Sequence, residues 1–585
     1  MRIRSTSSML LTLLAACGGS QPGASPSPDQ GNSGIVWPDE GPRTWAPRPT
    51  APEITANDLR TRLYQFAADS MMGRESGTLG NFKGTDYIAR EFKRLGLQPA
   101  GEHGSYFQEL PFGPTGFDLT ESRLSVGGTP LTPVADWVPT ALSAFNGLAA
   151  AFSAENLPTV FAGRWGDTTV TLAPDMLRGK VVVFLAAPAA APGGARGTAA
   201  VRDNRAQNGG AAAVLVASLD GMNQALRDGV FASRIALKPT STPGGNATTG
   251  GAAISLAAVE RIFGQSPERL VPGATGKPVS GAWSYGWRMS QYPGRNVIAI
   301  LPGSDPTLRG TYVLLGAHND HIGMVNGTRP EHDSLRAFNK VMRPQGANDR
   351  PGPPTAEQWD RIKALIAHAR SIRPPRIDSV NNGADDDGSG TVVLLEIAER
   401  FASQPAPRRS MIFISHVGEE KGLLGSRWFV DHPTVPLDSI IGALNMDMLG
   451  KGRVTDVRFG GPNSVQMLGS RRLSAEYGEL VDSLNAVRSE PMVIDYSWDR
   501  TNALNRFCRS DQVSYFSKNI PVAYFSLGYA SDYHQPTDEP QYIDYDHGAR
   551  LGRFVHDIAE AIANRPTRLT VLPLEQRDLS ARCGQ

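Results

Sequence analysis

Five short stretches of this chain end in residues that can bind a metal or move a proton. Asn382-Gly383-Ala384-Asp385-Asp386-Asp387-Gly388-Ser389-Gly390 sets three carboxylates side by side. A fold keeps such a run only if solvent or a cation neutralises it. Its glycines permit tight turns. A calcium loop of the helix–loop–helix type is excluded. Counting back from Gly388 puts the first ligand position on Gly383 and the closing-glutamate position on Leu394. A solvated acidic turn and a metal turn remain, and the other four stretches decide between them.

His318-Asn319-Asp320-His321 follows an apolar run at 311–317. His416-Val417-Gly418-Glu419-Glu420 follows another at 411–415, and its adjacent glutamates can divide the work. One ligates a metal while its neighbour takes a proton from water. Asp447 closes the run 440–446, and Tyr533-His534-Gln535-Pro536-Thr537-Asp538 comes after 522–527. Taken singly, a histidine such as His318 reads as a hydrogen-bonded structural residue, and a Glu-Glu pair as a solvated loop. Together, two histidines and three carboxylates suit two zinc ions. Each ion takes one terminal His, one terminal carboxylate and a share of a bridging carboxylate. Three carboxylates with a hydroxide nearly neutralise two dications.

The elements that must position these residues read as an α/β pattern. Strands are expected at 296–301, 311–317, 410–415, 440–446 and 522–527. Four of them deliver His or acidic residues to the edge of the sheet where ligand sites collect. The apolar spacing from Thr391 to Phe401 predicts a partly buried helix straight after the acidic turn. Two earlier helices are expected. One begins near Asn57-Asp58 and turns Leu59, Leu63 and Phe66 inward; the other, at 81–95, buries Tyr87, Ile88, Phe92 and Leu95. Between them and the α/β region, 115–286 is rich in Ala, Gly, Val and Thr, with buried strands at 180–185 and 211–217. This β-rich insert resembles the protease-associated domain of secreted peptidases. A second insertion, 325–378, is rich in Pro, Arg and Asn, carries a helix near 356–370, and reads as a rim, a lid or a surface excursion.

At 585 residues the chain exceeds one ordinary core. Its formal charge of +1 and the absence of a basic cluster with interleaved aromatics give no reason to expect nucleic acid as a partner. Arg2 and Arg4 precede a short apolar segment and Leu14-Ala15-Ala16-Cys17, which reads as a signal peptide and resembles the bacterial lipoprotein box. The expected organisation is a lipoprotein signal peptide at 1–16 and a disordered Gly/Ser/Pro-rich tether at 17–52. The catalytic domain is expected at 53–114 and 287–566, with a C-terminal tail at 567–585. Lipid on Cys17 would anchor an exported protein to a bacterial membrane. Cys508 and Cys583 are either paired or two free thiols.

The motif order His-x-Asp, Gly-Ala-Asp-Asp-Asp-Gly-Ser-Gly, Glu-Glu, Asn-Met-Asp, Tyr-His-x-x-x-Asp resembles the co-catalytic zinc exopeptidases. That family includes bacterial leucyl aminopeptidase, glutamate carboxypeptidase II and plasma-type dipeptidases. Met72-Gly73-Arg74-Glu75-Ser76-Gly77-Thr78 and Leu95-Gly96-Leu97-Gln98-Pro99-Ala100-Gly101 also match its habits. The resemblance implies a mixed β-sheet flanked by helices and two Zn2+ per chain. His318 and Asp447 would be terminal ligands of one zinc, Glu420 and His534 of the other, and Asp386 the bridge. It further implies a cis peptide bond before Asp387, Asp320 orienting His318, Asp538 supporting His534, and Tyr533 donating to the tetrahedral intermediate. Glu419 would be the general base for a zinc-bridging hydroxide acting on peptide substrates. The implied activity is that of an aminopeptidase. A carboxypeptidase or dipeptidase uses the same ligands, a glutaminyl cyclase uses one zinc, and a non-catalytic peptide-binding surface lipoprotein would lack ligands that this chain has.

Overall fold

The computed structural model describes residues 34–577 except 140–147, 150, 168, 188–202, 240–247 and 501–503. The expected signal peptide, Cys17 and Cys583 lie outside these residues. Cys508 is disulfide-bonded.

A nine-stranded mixed sheet forms the larger unit. At its centre Tyr312–His318, Ser410–His416, Ile440–Met446 and Val522–Ser526 run parallel, so their carboxyl ends share one edge. Gly294–Leu301 and Ser464–Leu468 add to this core antiparallel. The central strands are apolar over most of their length because both faces are covered. Val313, Leu315 and Ala317 point into one core with the helices Ala56–Phe66, Leu79–Arg94, Gly390–Ser403 and Tyr545–Asn564. Leu314 points into the opposite core, with Phe429 and Tyr515 from the short helices Leu424–Asp431 and Gln512–Ser517. Gly390–Ser403 is buried nearly all round, including Glu396 and Glu399. Both carboxylates meet the guanidinium of Arg62, itself 1% exposed.

The second sheet has ten strands between Phe112 and Trp287, with its own cores around Trp137, Trp283 and Val183 and around Val182 and Phe184. It is mixed: Val181–Leu185, Ala213–Ala217 and Gly250–Ile254 are parallel neighbours. The expected boundary at 114/115 moves to Pro111. Phe107–Leu110 pairs in the first sheet, and Phe112–Phe117 already belongs to the second.

The expectation of a disordered tether through residue 52 is corrected from residue 34 onward. Val36 and Trp37 are buried in a core with Ala337, Val341, Ile362 and Tyr542, and Trp37 Nε1 donates to Asp333 Oδ1 (2.9 Å). Asp39 pairs with Arg336 and Lys340, and Glu40 pairs with Arg373 at 2.5 Å. The proline content that reads as a linker therefore coexists with one aromatic anchor and a set of ion pairs. Its dock is the insertion 325–378, which folds into two packed helices, His332–Met342 and Ala356–Ile372.

His556, on the helix Tyr545–Asn564 and against Phe401 of Gly390–Ser403, tests the packing of the larger unit through pH. Gln404 Nε2 donates to its Nε2 (3.1 Å), and its Nδ1 donates to Asp557 Oδ1 (3.1 Å), the pattern of a neutral ring. Burial, then Arg400 and Arg488, lower its pKa from 6.5 to about 4. The unfolded chain therefore takes up the proton first, and stability falls as pH drops from about 6.5 to about 4, by about 3 kcal/mol for this group. Urea unfolding of chelator-treated protein at pH 7 and pH 4.5 is expected to show a smaller pH loss in His556→Gln than in wild type.

Candidate metal centre

The parallel strand ends bring five of the sequence-selected residues to one point. His318 ends its strand, and its Nε2 lies 3.2 Å from Asp386 Oδ1 and 3.6 Å from Asp447 Oδ1. Asp447 follows the strand Ile440–Met446 directly. On the other side of Asp386, Oδ2 lies 3.0 Å from His534 Nε2, which in turn stands 2.9 Å from Glu420 Oε2. Asp386 thus turns one oxygen to each group. His534 holds this position with left-handed backbone (φ 59°), an arrangement that concentrates at functional sites.

The acidic turn divides its three carboxylates. Asp387 accepts from the backbone N–H of Gly390 (2.8 Å), His318 (3.0 Å) and Met448 (3.2 Å). Asp385 accepts from Gly450 N–H (2.7 Å) and the Ser389 hydroxyl (3.1 Å). Burial raises both well above the usual carboxylate range. Burial would raise Asp386 too, but His318 and His534 hold it well below that range. The Asp386–Asp387 peptide is cis.

Two ions of opposite sign grip the turn's backbone. Buried Arg74 donates to the carbonyls of Asn382 (2.7 Å), Gly383 (2.8 Å) and Asn319 (3.2 Å), tying the turn to the His318 strand end. Asp538 accepts from the N–H of Asp385 (3.0 Å) and Asp386 (3.2 Å), and Lys451 Nζ neutralises it at 2.7 Å. The expectation that Asp538 supports His534 is therefore corrected: it supports the turn.

The assignment of Asp320 as the side chain orienting His318 is corrected as well. His318 Nδ1 donates to the Asp320 main-chain carbonyl (3.1 Å), while the carboxylate at 3.7 Å is out of hydrogen-bond range. That carboxylate instead accepts from Ser76 Oγ (2.7 Å) and Glu419 N–H (3.1 Å). Glu419 stands 3.9 Å from His318 Nε2. Burial raises its pKa well above 4.5, with Asp447 and Glu420 adding and His318 opposing. Tyr533 stacks on the His534 ring at 3.8 Å between centroids. Glu419, Glu420, Tyr533 and His534 are half-buried, whereas His318, Asp386 and Asp447 are buried. The cluster thus opens to solvent on the glutamate and Tyr533 side.

The donor set fits zinc. His318 Nε2, Asp386 Oδ2, Asp447 Oδ1 and His534 Nε2 are buried and lack a hydrogen-bond partner, although each faces another member of the cluster at 3.6 Å or less. Nitrogen and carboxylate oxygen are the donors zinc takes. A further group, His332, Asp378 and Glu539, does not fit a metal. Arg376 pairs with Glu539 at 2.7 Å and Asp378 at 3.5 Å, and both His332 nitrogens have partners.

Residues 296–559 match the model of peptidase family M28. This part of the chain belongs to that family. A probable leucine aminopeptidase of Trichophyton verrucosum is 30% identical over 103 residues, 17% of this chain and 29% of that protein. A probable zinc metalloprotease of Pyrenophora tritici-repentis is 35% identical over 103 residues, covering 17% and 24%. The chain spans less than a third of the length of these curated relatives. Among solved structures, the aminopeptidase from Aneurinibacillus sp. strain AM-1 overlaps with a TM-score of 0.41 at 17% identity, covering 89% of this chain and 97% of that one. The zinc aminopeptidase of Bacillus subtilis also gives 0.41 at 17%, over 91% and 98%.

Sequence reasoning gave no role in the M28 domain to Lys451, or to His321 beyond quoting it. Lys451 follows the Asn-Met-Asp motif by four residues and carried no signal of its own; its meaning comes from burial (3% exposed) between Asp538 and Asp532 at 2.9 Å. Lys451→Met leaves buried Asp538 without its ion-pair partner, while Asp532 keeps Arg336 at 3.2 Å. It is expected to destabilise chelator-treated protein by roughly 3–5 kcal/mol in urea unfolding, with Lys451→Arg milder.

Proposed function

We propose that this protein is a two-zinc exopeptidase that removes amino-terminal residues from peptides. The reading rests on Asp386, whose two oxygens stand 3.2 Å from His318 Nε2 and 3.0 Å from His534 Nε2. His318, Asp386 and Asp447 hold one ion in this reading, and His534, Glu420 and Asp386 the other. Bound zinc supplies Lewis-acid polarisation and lets water ionise near neutral pH. Glu419 takes the proton from the attacking water and passes it to the leaving amine as the peptide C–N bond breaks. Asp320 fixes the backbone of Glu419 for this task, and Tyr533, stacked on His534, offers its hydroxyl to the substrate's carbonyl oxygen. The name of the Trichophyton relative supports amino-terminal specificity.

A carboxypeptidase or dipeptidase is the second reading, and Arg509 favours it. This exposed guanidinium stands 4.6 Å over the Tyr529 ring, and its charge reaches Tyr533 and Glu419. A panel of aminoacyl amides, amino-blocked dipeptides and carboxyl-blocked dipeptides, assayed with and without chelator, separates the two. Cleavage that needs a free amine and tolerates a blocked carboxylate supports the aminopeptidase; cleavage that needs a free carboxylate supports the second reading.

Glu419→Gln is expected to retain the zinc content of wild type while kcat falls by about 10²–10⁴-fold. Metal analysis with steady-state kinetics checks both halves, and full activity in this variant removes Glu419 from the mechanism. We place the protein on an exported membrane surface through lipid on Cys17. Cys17→Ser is expected to shift it from the membrane to the soluble fraction in cell fractionation, and unchanged membrane recovery refutes the anchor.

A further inference from the structure

His321 stands three residues past His318, and none of the roles above uses it. It is 1% exposed, and the partner of its ring is itself a member of the cluster, Glu420 Oε1 at 2.9 Å from Nδ1. Its Nε2 is buried with no hydrogen-bond partner. Its Nδ1 faces the metal cluster, 2.9 Å from Glu420 Oε1 and 3.8 Å from Asp386 Oδ2. Glu420 therefore divides its oxygens between two histidines, Oε1 toward His321 and Oε2 toward His534.

The position of this ring is built into the fold. His321 N–H donates to the Arg74 carbonyl (3.2 Å), on the same short bridge that pairs His321 with Glu75. Its ring lies against Gly383, the residue that opens the acidic turn. A Cβ on Gly383 would stand 2.5 Å from His321 Cγ, and the glycine's φ of +56° already disfavours a side chain. The turn thus carries glycine where the ring passes.

The geometry has the shape of a closed site. One donor each from His321, Asp386, Glu420 and His534 all lie within 4.8 Å of one another. Ligands at 2.0–2.1 Å in a tetrahedron stand about 3.3 Å apart. The separations 2.9, 3.0 and 3.8 Å bracket that value. The other group has three donors, His318, Asp386 and Asp447.

We propose that His321 is a fourth protein ligand, which makes the two metal positions unequal. The inference rests on the two-zinc reading above. The position of His321, His534, Glu420 and Asp386 is filled by protein donors. That of His318, Asp447 and Asp386 keeps a place for water or substrate, which is the usual distinction between structural and catalytic zinc. Glu419, 3.9 Å from His318 Nε2, stands at the open position.

Full-length protein stripped with chelator provides the test. Zinc is titrated in competition with a chromophoric chelator, and Co2+ is titrated by visible absorption. Wild type is expected to bind two ions with unequal affinities, the tighter giving the intense absorption of four-coordinate Co2+. His321→Ala is expected to weaken the tighter site at least tenfold, diminish that absorption and leave the other affinity unchanged. His321→Gln, closer in shape, gives the same result should the alanine variant misfold by circular dichroism. Wild-type affinities and an unchanged Co2+ spectrum in a folded variant overturn the proposal, as does equal weakening at both positions. Fewer than two ions in wild type refutes the two-zinc reading itself, and this proposal falls with it.

Discussion

Asp385, Asp386 and Asp387 are no more than 3% exposed, and much of the M28 domain is arranged around that fact. Three adjacent buried carboxylates are tolerated only if each is answered separately. Backbone N–H groups answer Asp387, and Gly450 with Ser389 answers Asp385. Asp386 receives no hydrogen bond to Oδ2, which faces His534 instead. The flanking residues therefore spend their charge on shaping the turn, and the middle one is left to face cations.

The same constraint accounts for the surroundings of the turn. Its carbonyls are held by a buried cation, Arg74, and its amides by a buried anion, Asp538. Asp538 needs Lys451, and Lys451 also meets Asp532 at 2.9 Å. Arg336 then pairs with both Asp532 (3.2 Å) and Asp39. An alternating series of charges thus runs from Asp538, beside the acidic turn, to the N-terminal segment through the insertion 325–378. That insertion also steadies the loop carrying His534: Ala347 N–H donates to the Tyr529 carbonyl (3.0 Å), and Asn339 hydrogen-bonds Gln535. Both segments act as outer parts of the site's support.

Part of this was legible in the sequence for a physical reason. Parallel central strands are covered on both faces and leave unbroken apolar runs, so the polar residue that ends each run stands out, as His318 after Ala317 and Asp447 after Met446 do. The helix Gly390–Ser403 was legible by its apolar spacing. Edge strands such as Ser464–Leu468 and Val493–Asp495 are short and partly polar, and they left no such signal. The segment 34–52 was misread because proline content suggests a linker, whereas its order comes from Trp37 and from carboxylates whose partners lie about 300 residues away. His321 was hidden differently. Nothing about its spacing separates it from His318, and its place beside the cluster depends on the glycine that lets its ring approach the turn.

Exposure gives the site a direction. His318, Asp386 and Asp447 are buried, whereas Glu419, Glu420, Tyr533 and His534 are reachable by solvent. A substrate therefore meets the two glutamates and Tyr533 before it meets the buried donors. The groups that move protons or read the substrate need access, and the groups that hold charge need exclusion of water, where their interactions are stronger. Putting Glu419 and Glu420 on the loop after a buried strand meets both needs. The strand fixes where the pair begins, Asp320 fixes the backbone of the first glutamate, and the two side chains diverge from there. Glu419 Oε2 lies nearest His318, while Glu420 turns both oxygens toward His321 and His534. A one-residue shift in that loop would exchange the two environments, so the Asp320 hydrogen bond to Glu419 N–H keeps the surroundings of Glu419 and Glu420 distinct.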